Sequence, residues 1–172
     1  MNLEQAFEIA EGVRSQLAPF CKRIEIAGSI RRKKPEVKDI EIVCIPKTFS
    51  VTEGLFGEKE KDVPIQEFVD TVRKWEKVRG EPFGKYTQRK LPQGINLDLF
   101  IATQINWATI LLIRTGSAEF SKQFMGSWLP RHGYKCADGM ITKTGMLVIV
   151  PTEESLFRLV KMNYLEPQNR NL

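Results

Sequence analysis

The residues best equipped for chemistry are Asp39 and Glu41, set in the apolar run Val37–Ile45, with Gly28-Ser29-Ile30-Arg31-Arg32 just upstream. Side chains alternate along a strand, so Asp39 and Glu41 project from one face while Ile40 and Ile42 project from the other. A third acid, Asp98, sits between Leu97 and Leu99 in a later apolar run. If the two runs are neighbouring strands, three carboxylates converge. Clustered, poorly solvated anions raise one another's pKa. Divalent cations remove that penalty, and oxygen ligands suit Mg²⁺. Two such ions about 3.5–4 Å apart can activate an attacking hydroxyl and stabilise a departing pyrophosphate. The competing reading is that the acids of an acid-x-acid pair simply face water at a strand edge; taken alone, the pair fits either.

The upstream residues add to the first reading. Gly28 lets the backbone reach positive φ and approach a ligand closely, while the Ser29 hydroxyl and nearby N–H groups can hold phosphate oxygens. Arg31 or Arg32 can grip a triphosphate bidentately. A Gly-Ser turn with basic neighbours is most often a solvated turn; its place immediately before the acid-bearing strand is what points to nucleotidyl transfer.

These groups need a scaffold, and the periodicity supplies one. Leu3, Phe7, Ile9 or Ala10, Val13 and Leu17 predict a helix over 3–18, ended by Pro19. Strands are predicted at 24–27 and 37–45, with the basic run Arg31–Lys34 as a connecting loop and residues 47–63 as a polar connection. A helix over 65–75 and strands near 85–91 and 95–101 follow. From Gln104 the pattern changes to an apolar helix over 105–114, broken at Thr115-Gly116-Ser117. A second helix runs to Pro130 with Thr115 or Ser117 as N-cap; strands follow at 140–141 and 146–150, then a helix over 152–161. The result is an α+β chain: a mixed or antiparallel sheet with helices on one face, then a small α+β lobe, divided at residues 1–103 and 104–172.

At 172 residues with 42% hydrophobic and 27% charged residues, the chain has the length for one ordinary domain or two small lobes and the composition of a soluble globular protein. The net charge of +5 suits an anionic partner without requiring one. Three cysteines without CxxC spacing and a single histidine exclude a zinc pattern. No signal sequence or apolar stretch of membrane-spanning length is evident, so a soluble, cytoplasmic protein is expected.

The order Gly28-Ser29-x-Arg31-Arg32, Asp39-x-Glu41, Leu97-Asp98-Leu99 resembles the palm of the nucleotidyltransferase superfamily. Arg114-Thr115-Gly116-Ser117-Ala118-Glu119-Phe120-Ser121-Lys122 resembles the thumb motif of family X DNA polymerases, the polymerase-beta group. Pro151–Phe157 and Tyr164–Arg170 are similar to that family's closing segment. The resemblance runs from about residue 20 to residue 170. It implies a nucleotidyltransferase palm and a thumb that binds nucleotide and DNA. Asp39, Glu41 and Asp98 become the carboxylates for two Mg²⁺ ions, with Mn²⁺ as a substitute, and Asp98 helps accept the primer 3′-hydroxyl proton. Gly28, Ser29 and Arg32 hold the β- and γ-phosphates of a dNTP. Arg114, Thr115, Gly116, Ser117 and Ser121 bind the nucleotide. The expected activity is DNA-directed DNA synthesis by a monomer on primer-template or gapped DNA, as in repair. The alternatives are a template-independent nucleotidyltransferase acting on DNA, RNA, protein or a small molecule, and a catalytically degenerate nucleic-acid-binding module.

The chain also departs from the family pattern. Glu41 stands where an aspartate is usual, and Arg114 replaces an aromatic residue that crowds the sugar. Ser121 replaces a polar amide, and Met125 or Gly126 falls where a template-contacting arginine is frequent. No helix-hairpin-helix or lyase region precedes the palm, so no lyase activity is expected. Lys33, Lys34, Lys85, Arg89, Lys122, Arg131 and Lys135 are candidates for phosphate contact, each read first as a surface charge.

Overall fold

Asn2 opens the first helix: its side-chain oxygen accepts from the Gln5 N–H at 2.9 Å, satisfying a donor that has no partner within the helix. In the computed structural model, which describes residues 1–53 and 59–172, this helix (α1) covers Leu3–Leu17. It buries Ala6, Ala10, Val13 and Leu17, whereas Phe7, expected in the apolar stripe, is 49% exposed.

That sheet has five strands in the order β1-β2-β7-β6-β5. They are β1 (Cys21–Ile26), β2 (Asp39–Pro46), β5 (Glu76–Arg79), β6 (Tyr86–Lys90) and β7 (Asn96–Ile101). β2 and β7 are parallel and the other pairs antiparallel, which makes the sheet mixed, as the α+β reading expects.

The alternation of β2 and β7 sorts their residues onto two faces. Ile40, Ile42, Cys44, Leu97 and Leu99 pack against α1 and against Phe68 and Val72 of α3 (Gln66–Arg73). On the other face Val43, Ile45, Phe100 and Ala102 join Trp107, Ala108, Leu111 and Leu112 of α4 (Trp107–Thr115) and Phe157 of α7 (Glu153–Leu159). Within residues 1–103 the helices α1 and α3 thus pack on one face, as expected, and α4 and α7 of the C-terminal part bury the half of the second face that lies away from the acids. Residues on both sides of position 103 share that core. The C-terminal part adds a three-stranded sheet, β8 (Tyr134–Ala137), β9 (Met140–Lys143) and β10 (Met146–Val148), of which β8 was not expected.

Three local expectations are corrected. Gly28–Arg31 is a single helical turn, α2, so Arg31 belongs to a helix and not to the basic loop. The expected connection at 47–63 holds an antiparallel hairpin, β3 (Thr48–Glu53) and β4 (Lys59–Pro64); its residues 54–58 lie outside the described residues. The strands bury too little to show an apolar alternation. Finally, the second helix of the C-terminal part, expected as one run to Pro130, ends at Arg131 but is interrupted. α5 (Ala118–Gln123) continues through a π-turn at Phe124–Trp128 into α6 (Leu129–Arg131), and the wider turn accommodates a residue that has no N–H to donate. Among the described residues no helix is long and apolar enough to cross a membrane.

Candidate active site

The parallel pairing of β2 with β7 places Glu41 directly opposite Asp98 and Asp39 opposite Asn96. All three acids thus lie on one sheet face, at the starting ends of two neighbouring strands. β1 runs antiparallel to β2, so its exit delivers Ala27 and Gly28 beside the same spot, with the Ala27 N–H donating to the Glu41 carbonyl at 2.8 Å. Gly28 has φ +62°, and a β-carbon there would lie 1.9 Å from Glu41 Oε2. The Glu41 carboxylate rests on the bare glycine backbone.

The electrostatics follow from this crowding. Burial, then the charges of Asp39 and Asp98, push the Glu41 carboxyl up to about 7, against the pull of Arg32 and Arg114. Asp39 is also raised, by burial and then by Asp98. Arg32 is lowered by burial, although Glu41 and Asp39 favour its charge. A cation added here would relieve the repulsion, and the donors are hard oxygens of the kind Mg²⁺ takes. Among the described residues, however, no group of three or more His, Cys, Asp or Glu side chains stands close enough to hold a metal ion. The donor chemistry fits, and the side chains would have to close in around the ion.

A cleft of about 590 Å³ opens beside the acids, lined by Ser29, Arg32, Lys34, Lys38, Asp39 and Glu41 among others. The Ser29 hydroxyl is buried and has no hydrogen-bond partner among the described residues, and a buried hydroxyl without a partner costs about 1–3 kcal/mol. A phosphate oxygen would satisfy it. Arg32 is already engaged: Nη1 donates to the Thr115 carbonyl at 2.6 Å and Nε to Asn171 Oδ1 at 3.1 Å. Arg31, the other candidate clamp, is taken out of the site. It bonds Glu153 Oε1 at 3.0 Å, Glu153 Oε2 at 2.6 Å and Thr115 Oγ1 at 2.6 Å.

Asp98 is held by residues that sequence reasoning missed. Its Oδ1 accepts from Tyr86 Oη at 2.9 Å and from Gln88 Nε2 at 2.8 Å. Burial, and next the bond to Asp98, push the Tyr86 phenol up to about 12. The signal was the i, i+2 spacing of Tyr86 and Gln88, which reaches Asp98 only once β6 is paired with β7.

The residues at the α4–α5 junction make their bonds within the chain. Thr115 is fully buried and accepts from Arg31. The Ser117 hydroxyl caps α5, accepting from the Phe120 N–H at 3.0 Å and from the Leu172 N–H at 3.3 Å. The Ser121 hydroxyl donates to the Ile113 carbonyl at 2.8 Å. Gly116 is a glycine because Phe120 Cδ1 stands 2.4 Å from where its β-carbon would be. Each of these three hydroxyls has a partner within the chain. Arg114 lies with its guanidinium 4.0 Å from the Phe100 ring centroid, in a second cleft of about 510 Å³ that also holds Tyr86 and Lys85. Of the other candidate phosphate contacts, Arg89 is buried and donates to the Arg79 and Gly80 carbonyls at 3.0 and 3.1 Å, so it is a structural clamp and not a surface charge.

Residues 110–171 match the DNA polymerase beta thumb family. The chain is similar to DNA polymerase lambda of Rattus norvegicus, with 24% identity over 188 aligned residues. That alignment takes in 99% of this chain and 33% of the relative, so the chain spans about a third of the relative's length. The thumb match and the relative both give this chain a likeness to family X polymerases.

Proposed function

We propose that this chain transfers a nucleotidyl group from a dNTP to a primer 3′-hydroxyl on primed or gapped DNA, releasing pyrophosphate, as in DNA repair. The observation that carries the reading is Glu41 set opposite Asp98 in adjacent parallel strands, beside Gly28-Ser29 and the Arg32 cleft. Asp39, Glu41 and Asp98 would hold Mg²⁺, or Mn²⁺ in its place. The ions would supply Lewis-acid activation of the hydroxyl and charge neutralisation of the leaving group. The chain's own groups do the rest. Ser29 offers an unpaired hydroxyl to the phosphates, while Arg32, Lys34 and Lys38 bring positive charge to their cleft. Asp98 lies on the strand next to Glu41, where a carboxylate can take the proton of the attacking hydroxyl.

A second reading, nucleotidyl transfer without a template, is favoured by Arg114. Its guanidinium covers Phe100, so the sugar-side surface differs from the aromatic one of the family pattern.

Primer extension separates the two. The chain is incubated with Mg²⁺ or Mn²⁺, each dNTP or rNTP, and single-stranded, primed and gapped DNA. Base-specific extension on primed or gapped DNA is the expected result; untemplated addition supports the second reading. Asp98→Ala, with an unchanged circular dichroism spectrum, is expected to lower extension on the order of a thousandfold. Full activity in that variant would sink the mechanism.

A further inference from the structure

One oxygen of Asp98 is closed off by the chain itself. Tyr86 Oη and Gln88 Nε2 both donate to Oδ1, at 2.9 and 2.8 Å, and two donors use up the lone pairs of that atom. Both donors come from β6, whose antiparallel register with β7 sets Gln88 opposite Asp98 and Tyr86 opposite Phe100. The Tyr86 ring is held on both of its flanks. The Tyr86 ring stacks on Phe100 at 5.1 Å with the planes 24° apart. Arg114 lies over the Phe100 ring at 4.0 Å and Arg79 over the Tyr86 ring at 5.7 Å. Aromatic stacking and cation–π contacts thus hold the phenol where its hydroxyl meets Asp98.

We propose that Tyr86 and Gln88 are positioning residues that hold Asp98 through Oδ1, so that Oδ2 is the oxygen it would offer to a divalent cation. The inference rests on the nucleotidyltransferase reading of Asp39, Glu41 and Asp98. Without the two donors a carboxylate can rotate about its terminal torsion and present both oxygens to the same ion. Chelation of that kind would hold an ion more tightly and would crowd the attacking hydroxyl. Metal affinity and turnover should therefore move in opposite directions, which simple damage to the fold would not produce.

The test uses the full chain, Tyr86→Phe, Gln88→Leu and the double variant, each also in an Asp98→Asn background. Free Mn²⁺ is counted by electron paramagnetic resonance without nucleotide, and extension is followed separately. The double variant is expected to bind Mn²⁺ more tightly by about threefold or more, because a carboxylate freed of two donors offers more charge and a second oxygen, while kcat falls about tenfold and the dNTP KM stays within about twofold. In the Asp98→Asn background the change in Mn²⁺ affinity disappears. Tyr86→Phe, which removes a single oxygen atom, shows a smaller shift the same way and serves if the double variant does not fold. Weaker Mn²⁺ binding together with lower kcat, an affinity change that survives Asp98→Asn, or a wild-type chain that binds no Mn²⁺ would each overturn the proposal. A wild-type chain that shows the expected Mn²⁺ pattern but extends no primer supports the positioning role and sinks the polymerase reading.

Discussion

A β-carbon at position 28 would collide with the Glu41 carboxylate at 1.9 Å, and the backbone there is left-handed at φ +62°. Gly28→Ala therefore carries two costs: roughly 1–2 kcal/mol for an L-residue in that conformation, and the displacement of Glu41 from the acid cluster. The variant should lose about 1–2 kcal/mol in urea unfolding and need several-fold more Mg²⁺ for half-maximal extension. Unchanged Mg²⁺ dependence would mean that Glu41 is not a ligand. At this scale the sequence was readable where chemistry is local: a glycine, a serine and alternating acids announce themselves. Tyr86 and Gln88 did not, because nothing within β6 indicates what lies across from it. Arg31 and Arg32 looked alike in the chain, yet one is bound to Glu153 and the other lines the cleft.

Among the elements, the junction between α4 and α5 is the most informative. Ser117 caps α5 through Phe120 N–H, and its backbone N–H donates to the Arg170 carbonyl at 2.9 Å. The cap was visible in the sequence as a choice between Thr115 and Ser117. Thr115 lost because it forms the last turn of α4, with its side chain committed to Arg31. Ser117→Ala should cost about 1 kcal/mol of stability from the lost cap and loosen Leu172, which donates to the same hydroxyl. Thermal melting measures the first effect and amide exchange at Leu172 the second. Elements with a strong apolar stripe or a local stop, such as α1 and β7, were legible in advance. The β3–β4 hairpin was not, because exposed strands carry little alternation.

Over the whole molecule, an ion cluster joins the two ends of the chain. Glu153, 6% exposed, bonds Arg31 from α2 on one side and the fully buried Arg170 on the other. Burial works against the Arg31 charge, but its bonds to Glu153 outweigh burial and its pKa is raised. Arg170 also donates to the Leu165 carbonyl at 2.9 Å and lies over Phe157 and Tyr164. Removing the carboxylate leaves two confined cations facing each other. Glu153→Ala should therefore destabilise the chain by about 3–5 kcal/mol in urea, more than any single surface substitution. A loss under about 1 kcal/mol would show that the arginines are solvated and the cluster is incidental.

Residue order alone determined the α+β class, the first helix, a cap at Thr115 or Ser117 and the acid pair beside a Gly-Ser turn. Each depends on neighbours within a few positions, where spacing dictates which side chains share a face. Only the tertiary structure decided that Glu41 stands opposite Asp98, that Tyr86 and Gln88 close one oxygen of that acid, and that Arg31 serves Glu153 and not the phosphate cleft. Those outcomes follow from strand register and from the packing of α4 and α7 on the sheet, contacts between residues far apart in the chain that no local pattern encodes.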